Sequence, residues 1–256
     1  MTKYIQSLLV VVLIASFSVL TNIPQDVLRV PEKSTTIDKK HLLGQINPSN
    51  DSKFAIIEKP YTSKSNIYML DKAYAAYKSM YAAAAKEGLD LKIVSAFRSF
   101  NHQKSIWEAK WTGARKVLGK DLSKAYQNAE QRAKVILLFS SMPGTSRHHW
   151  GTDIDIYSVE DKDFQKGKGK KIYEWLVKNA HNFGYCQVYT PKPSTRTKGY
   201  EEEKWHWSFL PIAKKYLVEY KKTITYNDIE GFKGDRVAKK IDVIENYVFG
   251  INPNCK

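Results

Sequence analysis

The chain has 256 residues, 43% of them hydrophobic and 12% aromatic, which suffices for one substantial core and argues for a folded domain rather than a disordered one. A formal net charge of +15 directs the protein towards anionic surroundings such as a cell wall, a membrane surface or nucleic acid. The basic residues are scattered apart from short groups such as Lys166 to Lys171, and no zinc finger, RNP motif or basic zipper accompanies them, so nucleic acid is not an expected partner.

At the N-terminus Lys3 precedes an apolar run from Leu8 to Leu20, short for a membrane span and right for the core of a signal peptide. Ser16-Phe17-Ser18 and Val19-Leu20-Thr21 only approximate the small-x-small cleavage rule, so residues 1–22 read as a signal peptide or an uncleaved anchor. No cysteine follows closely, which argues against a lipoprotein and for an exported protein of the periplasm or cell envelope. Residues 23–66, broken by Pro24, Pro31, Pro48 and Pro60, read as a linker and irregular packing.

Regular structure is expected from there on. Asp71 to Lys86 has the alanine content and the Gly88 stop of a helix. Leu91 to Ser95 is a short strand, and a helix follows that Asn101 can cap and Gly113 can end. A third helix is expected over Ser123 to Ser140, closed by Met142-Pro143-Gly144. Thr152 to Tyr157 reads as a strand, Lys170 to Phe183 as an amphipathic helix and Tyr185 to Tyr189 as a strand. Two more helices are expected at Ile212 to Lys222 and Asp235 to Phe249. Strands and helices interleave without a long βαβ rhythm, so the fold class is α+β with a small antiparallel sheet flanked by helices. The main domain is placed at 67–218, with a helical extension over 219–256. Cys186 and Cys255 form a disulfide in an oxidising compartment or remain two free thiols, since spacing alone does not show proximity.

The chemistry concentrates in two stretches. Ser146-Arg147-His148-His149-Trp150-Gly151-Thr152-Asp153-Ile154-Asp155 pairs His148 with a carboxylate seven positions later, and Glu203-Lys204-Trp205-His206-Trp207 sets a second histidine three residues after a glutamate. In a strand Asp153 and Asp155 share one face while Ile154 and Ile156 take the other. An acidic pair against a core is costly unless a cation or hydrogen-bond donors compensate it. Two imidazoles, one carboxylate ligand and one spare carboxylate suit a catalytic zinc with an open coordination position. The bland alternative has His148 capping a loop and Asp155 accepting backbone hydrogen bonds. Trp205 and Trp207 read as core or pocket wall, and His149 and His102 as structural.

Ser146-x-His148-x-x-Gly151-x-Asp153-x-Asp155 with Glu203-x-Trp205-His206 resembles the LAS group of zinc peptidases, specifically the VanY-type D-alanyl-D-alanine carboxypeptidases. Ser95-Ala96-Phe97-Arg98-Ser99, with Gln103 downstream, is similar to that family's Ser-Gly-Tyr-Arg-Ser…Gln segment. The resemblance runs from about Tyr68 to Leu217 and implies an LAS, hedgehog-like peptidase fold. It also implies that His148, Asp155 and His206 bind Zn2+, that Glu203 moves a proton from the attacking water to the leaving amine, and that Arg98 bonds the scissile carbonyl oxygen. Ser146 and Gln103 fall where the family holds the substrate's peptide or terminal carboxylate. A guanidinium at a developing oxyanion stabilises the transition state by on the order of 3 kcal/mol.

Asp153 stands where the family's motif has alanine. It can support a ligand histidine, bind a substrate amine or compete for the metal, and the first is the preferred reading. The implied activity is removal of the terminal D-alanine from peptidoglycan stem peptides by a monomeric enzyme. An L,D-carboxypeptidase or a D,D-dipeptidase uses the same chemistry, and a non-catalytic zinc-containing wall-binding module would need neither Glu203 nor Arg98.

Overall fold

In the computed structural model, which describes residues 37–256, the chain begins with a single helical turn, α1 (Lys39–Leu42), that places Leu42 and Leu43 in the core. The signal or anchor segment expected at residues 1–22 lies outside the described residues. Strand β1 (Phe54–Ile56) pairs antiparallel with β2 (Tyr68–Leu70). Residues 37–256 cluster as one unit.

Helix α2 (Asp71–Lys86) runs over the predicted span and buries Ala73, Tyr74, Tyr77, Met80 and Ala84, the three- and four-residue spacing of one helical face. Each large side chain so buried stabilises the fold by roughly 1.5–3 kcal/mol. Strand β3 (Ile93–Ser95) leads to α3 (Phe100–Trp111), capped by Ser99, whose hydroxyl accepts the His102 amide at 3.2 Å. The expected cap, Asn101, lies inside the helix.

The helix expected over Ser123 to Ser140 is two helices, α4 (Leu122–Ala125) and α5 (Ala129–Ile136). Asn128 divides them, because its side chain accepts the Gln131 amide at 3.0 Å and restarts the chain as a cap. Arg132 secures the break by donating from Nε and one terminal nitrogen to the Tyr126 carbonyl at 3.0 and 2.7 Å.

Strand β4 (Asp153–Ile156), α6 (Gly167–Asn179), β5 (Tyr185–Gln187), β6 (His206–Phe209) and α7 (Leu210–Thr223) complete the main elements. The larger sheet has four strands in the order β3-β4-β6-β5, every neighbouring pair antiparallel. Both faces of β4 and β6 are buried, so the central strands read as unbroken buried runs. The fold class is therefore α+β, with small antiparallel sheets among helices.

Beyond α7 the expected helix over Asp235 to Phe249 is absent. In its place are a 3-10 turn at Asp235–Val237 and a π-helical turn at Ile244–Val248. Between them Asp242 takes a left-handed backbone, with φ of 51°, which no continuous right-handed helix contains. The Tyr226 hydroxyl bonds its carboxylate. The chain then crosses the edge strand β5, where the Asn252 amide donates to Val188 at 2.9 Å and its side chain to Gln187 at 3.0 Å. A disulfide between Cys186 and Cys255 fastens this crossing. The two cysteines are thus paired, a choice their spacing left open. Among the described residues no helix is long and apolar enough to cross a membrane.

Candidate metal centre

The site is assembled on one face of β4 and β6. Asp155 is registered opposite His206, and Asp153 opposite Ser208. Side chains two apart in a strand share a face, so these four form a square patch, and cross-strand partners are close enough to interact. His148 reaches the same place from a 3-10 turn over Arg147–Trp150. Gly151 ends that turn with φ of 74°, and a Cβ there would lie 2.5 Å from the Phe54 ring. Glycine meets both demands, and the chain can then turn from His148 directly into β4.

His148, Asp155 and His206, all buried, offer three ligand atoms within 4.8 Å of one another. Asp155 Oδ1 lies 3.3 Å from His148 Nε2 and 3.7 Å from His206 Nδ1. Donors bound tetrahedrally at 2.0–2.2 Å stand roughly 3.3 Å apart. The remaining histidine nitrogens are engaged elsewhere. Nδ1 of His148 donates to the Ala96 carbonyl at 2.8 Å, and Nε2 of His206 donates to Asp153 Oδ2 at 2.8 Å. Asp155 Oδ1 is buried and has no hydrogen-bond partner. A buried, unsatisfied carboxylate oxygen flanked by two imidazole nitrogens is costly as it stands and is satisfied by a cation. The donor set fits a zinc ion.

Glu203 and Arg98 flank these three. Glu203 Oε2 is 3.0 Å from His206 Nδ1. Arg98 donates from one terminal nitrogen to Asp155 Oδ2 and Ser95 Oγ at 3.0 and 3.1 Å, and from the other to Gln103 Oε1 at 3.0 Å. Gln103 is fixed in turn by donating to the Ser141 carbonyl at 2.8 Å. Ser146 lies directly before the 3-10 turn, and its buried hydroxyl has no hydrogen-bond partner among the described residues. The structure thus brings together His148, Asp155, His206, Glu203 and Arg98, with Gln103 bound to Arg98.

The electrostatics follow from burial. For Glu203 burial is the largest influence and pushes the carboxyl up. The hydrogen bond from His206 opposes it, and the shift that results is upward. Burial likewise lowers the pKa of His148, and the Arg98 cation adds to that, leaving a neutral imidazole suited to ligation. Burial also opposes ionisation of Asp155, but the two histidines and Arg98 overcome it and hold the carboxyl well below its usual range. In His206 burial is again opposed, here by the acceptors Asp153 and Glu203, and the pKa is raised to about 9.

Asp153 carries a more elaborate set of bonds than its sequence position reveals. Its Oδ2 accepts from His206 and from Arg147 Nε at 3.0 Å, while Oδ1 accepts from Ser208 at 2.6 Å and Thr152 at 2.7 Å. Its side chain is 0% exposed. The four donors occupy the lone pairs of a carboxylate that has no access to solvent, and one of those donors is His206.

Arg147, absent from the expected site, is the residue sequence reading missed. The available signal was electrostatic: a carboxylate in the place of alanine on a buried strand demands a cation, and Arg147 is the nearest in the motif. Both ring nitrogens of the buried His149 are engaged by backbone, Nδ1 donating to the Arg98 carbonyl at 2.6 Å and Nε2 accepting the Gly144 amide at 3.1 Å. It thereby anchors the backbone from which Arg98 projects.

The chain is similar to known proteins. A family model described as VanY, D-alanyl-D-alanine carboxypeptidase, matches residues 66–212. YodJ of Bacillus subtilis (strain 168), a protein assigned as a carboxypeptidase, is 28% identical over 181 residues, which cover 68% of this chain and 58% of YodJ. The chain thus spans well under two thirds of that relative's length. Among solved structures, the LdcB LD-carboxypeptidase is 22% identical over 80% of this chain and 81% of its own, with a TM-score of 0.48. A vancomycin resistance D,D-pentapeptidase VanY in complex with Zn(II) is 24% identical over 63% of this chain and 88% of its own, with a TM-score of 0.46.

Proposed function

The chain belongs to the VanY D-alanyl-D-alanine carboxypeptidase family, and from that premise we propose that it is a zinc-dependent carboxypeptidase removing the terminal D-alanine of peptidoglycan stem peptides. The observation that carries the reading is the bare Oδ1 of Asp155 between Nε2 of His148 and Nδ1 of His206, with Glu203 and Arg98 beside it. We take His148, Asp155 and His206 as the zinc ligands and 67–218 as the catalytic domain. We also take the site of action to be outside the cytoplasm, where the substrate lies and where the disulfide persists. The net charge of +15 suits an anionic wall.

Bound there, zinc polarises a carbonyl and lowers the pKa of water, which supplies a nucleophile near neutral pH. Glu203 accepts the proton of the attacking water on its carboxylate and returns it to the leaving amine. Its upward-shifted carboxyl brings the acid and base forms closer to balance at working pH. Arg98 offers N–H groups to the carbonyl oxygen as it becomes negative, an interaction stronger in the transition state than in the ground state. Gln103 fixes the guanidinium plane. Ser146, with its buried and unpartnered hydroxyl, is proposed to hold the substrate's peptide or carboxylate. Asp153 fixes His206 so that Nδ1 faces the ligand cluster.

The test is incubation of the full chain with defined muropeptides, with and without a chelator, followed by mass spectrometry. Loss of a single D-alanine from pentapeptide stems, abolished by chelator and restored by zinc, is expected. Release of a D-alanyl-D-alanine dipeptide, or cleavage of tetrapeptide stems alone, would move the protein to the D,D-dipeptidase or L,D-carboxypeptidase reading. No cleavage by the zinc-loaded chain would leave a wall-binding module.

A further inference from the structure

Arg147 is a large charged side chain with no exposed surface, placed beside the ligand cluster but not in it. Its Nε donates to Asp153 Oδ2 at 3.0 Å, one terminal nitrogen donates to Ser208 Oγ at 2.7 Å, and the guanidinium lies 4.4 Å from the centre of the Trp150 ring. Ser208 in turn donates to Asp153 Oδ1 at 2.6 Å. Guanidinium, hydroxyl and carboxylate therefore form a closed ring of hydrogen bonds, with the far side of Asp153 holding Nε2–H of His206. Resting on the zinc reading above, we propose that Arg147 and Asp153 are one positioning unit for His206. The guanidinium fixes the carboxylate, and the carboxylate fixes the ring so that Nδ1 is the nitrogen offered to the metal.

The arrangement answers a problem of charge. A carboxylate behind a ligand histidine makes the imidazole a better donor and fixes its orientation. Alone, Asp153 would also add a full negative charge to a centre that already holds Asp155 and Glu203, and it could swing round to the metal. Arg147 cancels that charge, and the four donors on Asp153 leave it no free lone pair with which to compete. The centre gains the support of an anion at no change in its net charge. Neither partner is tolerable alone, since an uncompensated buried charge is strongly destabilising. Arg147 and Asp153 are thus expected to be gained or lost together.

The experiment is a double-mutant cycle on the full chain using Arg147→Met, Asp153→Ala and the pair. Zinc affinity is measured by competition with a chromophoric chelator, and stability by thermal unfolding of the metal-free proteins. Each single variant is expected to lose both stability and roughly 10–100-fold in zinc affinity. The double variant, with no orphaned charge, is expected to recover its unfolding midpoint but to keep the zinc deficit. A double variant that regained wild-type zinc affinity along with its stability would show that the pair is only an ion pair of the core, and would overturn the proposal. Should that variant not fold, R147Q/D153N keeps hydrogen-bonding atoms without charge and is expected to give the same split. A wild-type chain that took up no zinc at all would bring down the metal reading itself, and this inference with it. Wild-type uptake followed by full recovery in the double variant would sink the inference alone.

Discussion

The ligand face of β4 and β6 and the outer edge of the same sheet are built to opposite plans. At the edge, β5 is closed off: Asn252 takes up the carbonyls of Val188 and Gln187, and the Cys186–Cys255 disulfide holds the crossing in place. On the ligand face Asp155 Oδ1 and Ser146 Oγ are buried and unpartnered, and three carboxylates, Asp153, Asp155 and Glu203, lie around one histidine. A region that only has to stay folded satisfies most of its own polar groups. One that has to bind and react leaves some of them for the ligand, at a cost in stability that the closed regions offset.

The contrast can be broken from either side. The largest effect is expected from Glu203→Gln, which should lower the rate of D-alanine release by on the order of 10⁴-fold while zinc content stays near one ion per chain. A variant that stayed active would remove Glu203 from the proton transfer. Next comes the edge. Replacing both Cys186 and Cys255, which are 69 residues apart, by serine should cost about 4 kcal/mol in unfolding free energy from the lost loop constraint. Zinc affinity and turnover per folded molecule should be unchanged, and a parallel fall in zinc affinity would show that the two regions are coupled.

Arg98→Ala should raise the barrier by about 3 kcal/mol, read as a fall in kcat with KM little changed. A rise in KM alone would make Arg98 a substrate anchor rather than an oxyanion donor.

The smallest effect is a pH dependence. His206 has its pKa raised to about 9, so below that pH zinc must displace a proton from the ring. Zinc affinity should therefore climb with pH, by about tenfold per pH unit for the one proton released, and level off as pH passes about 9. The linkage in the metal-free protein runs the other way. With the folded pKa above the ordinary 6.5, the stability His206 contributes is complete below about 6.5 and is lost as pH rises through about 9. Calorimetric titration with zinc in buffers of different ionisation enthalpy would count the protons, and uptake without proton release would contradict the shift.

Local signals carried much of this into the sequence. Helix α2 follows from alanine content and the Gly88 stop, and strand β4 from the alternation of acidic and apolar residues over Asp153 to Ile156. His148, Asp155, Glu203 and His206 were legible because strand periodicity and a glycine turn already limit where they can point. Two expected helices are broken, one by a contact from another element and one by a local cap. The helix expected over Asp235 to Phe249 fails at Asp242, whose left-handed backbone is accompanied by a bond from Tyr226. The Ser123 to Ser140 helix is cut by an asparagine whose capping role is visible only when the Arg132 fork occupies the carbonyl before it.

What the sequence determined by itself was the chemistry on offer: two imidazoles, their carboxylates and a guanidinium, each with the spacing that its own strand or turn demands. Tertiary structure alone decided which nitrogen of each histidine faces the ligand cluster, that Asp153 is held by Arg147 and Ser208, and that Cys186 meets Cys255. Those outcomes depend on the pairing of β4 with β6 and on the path of the last residues over β5. Such contacts join positions far apart in the chain, and only the folded core fixes the distances between them.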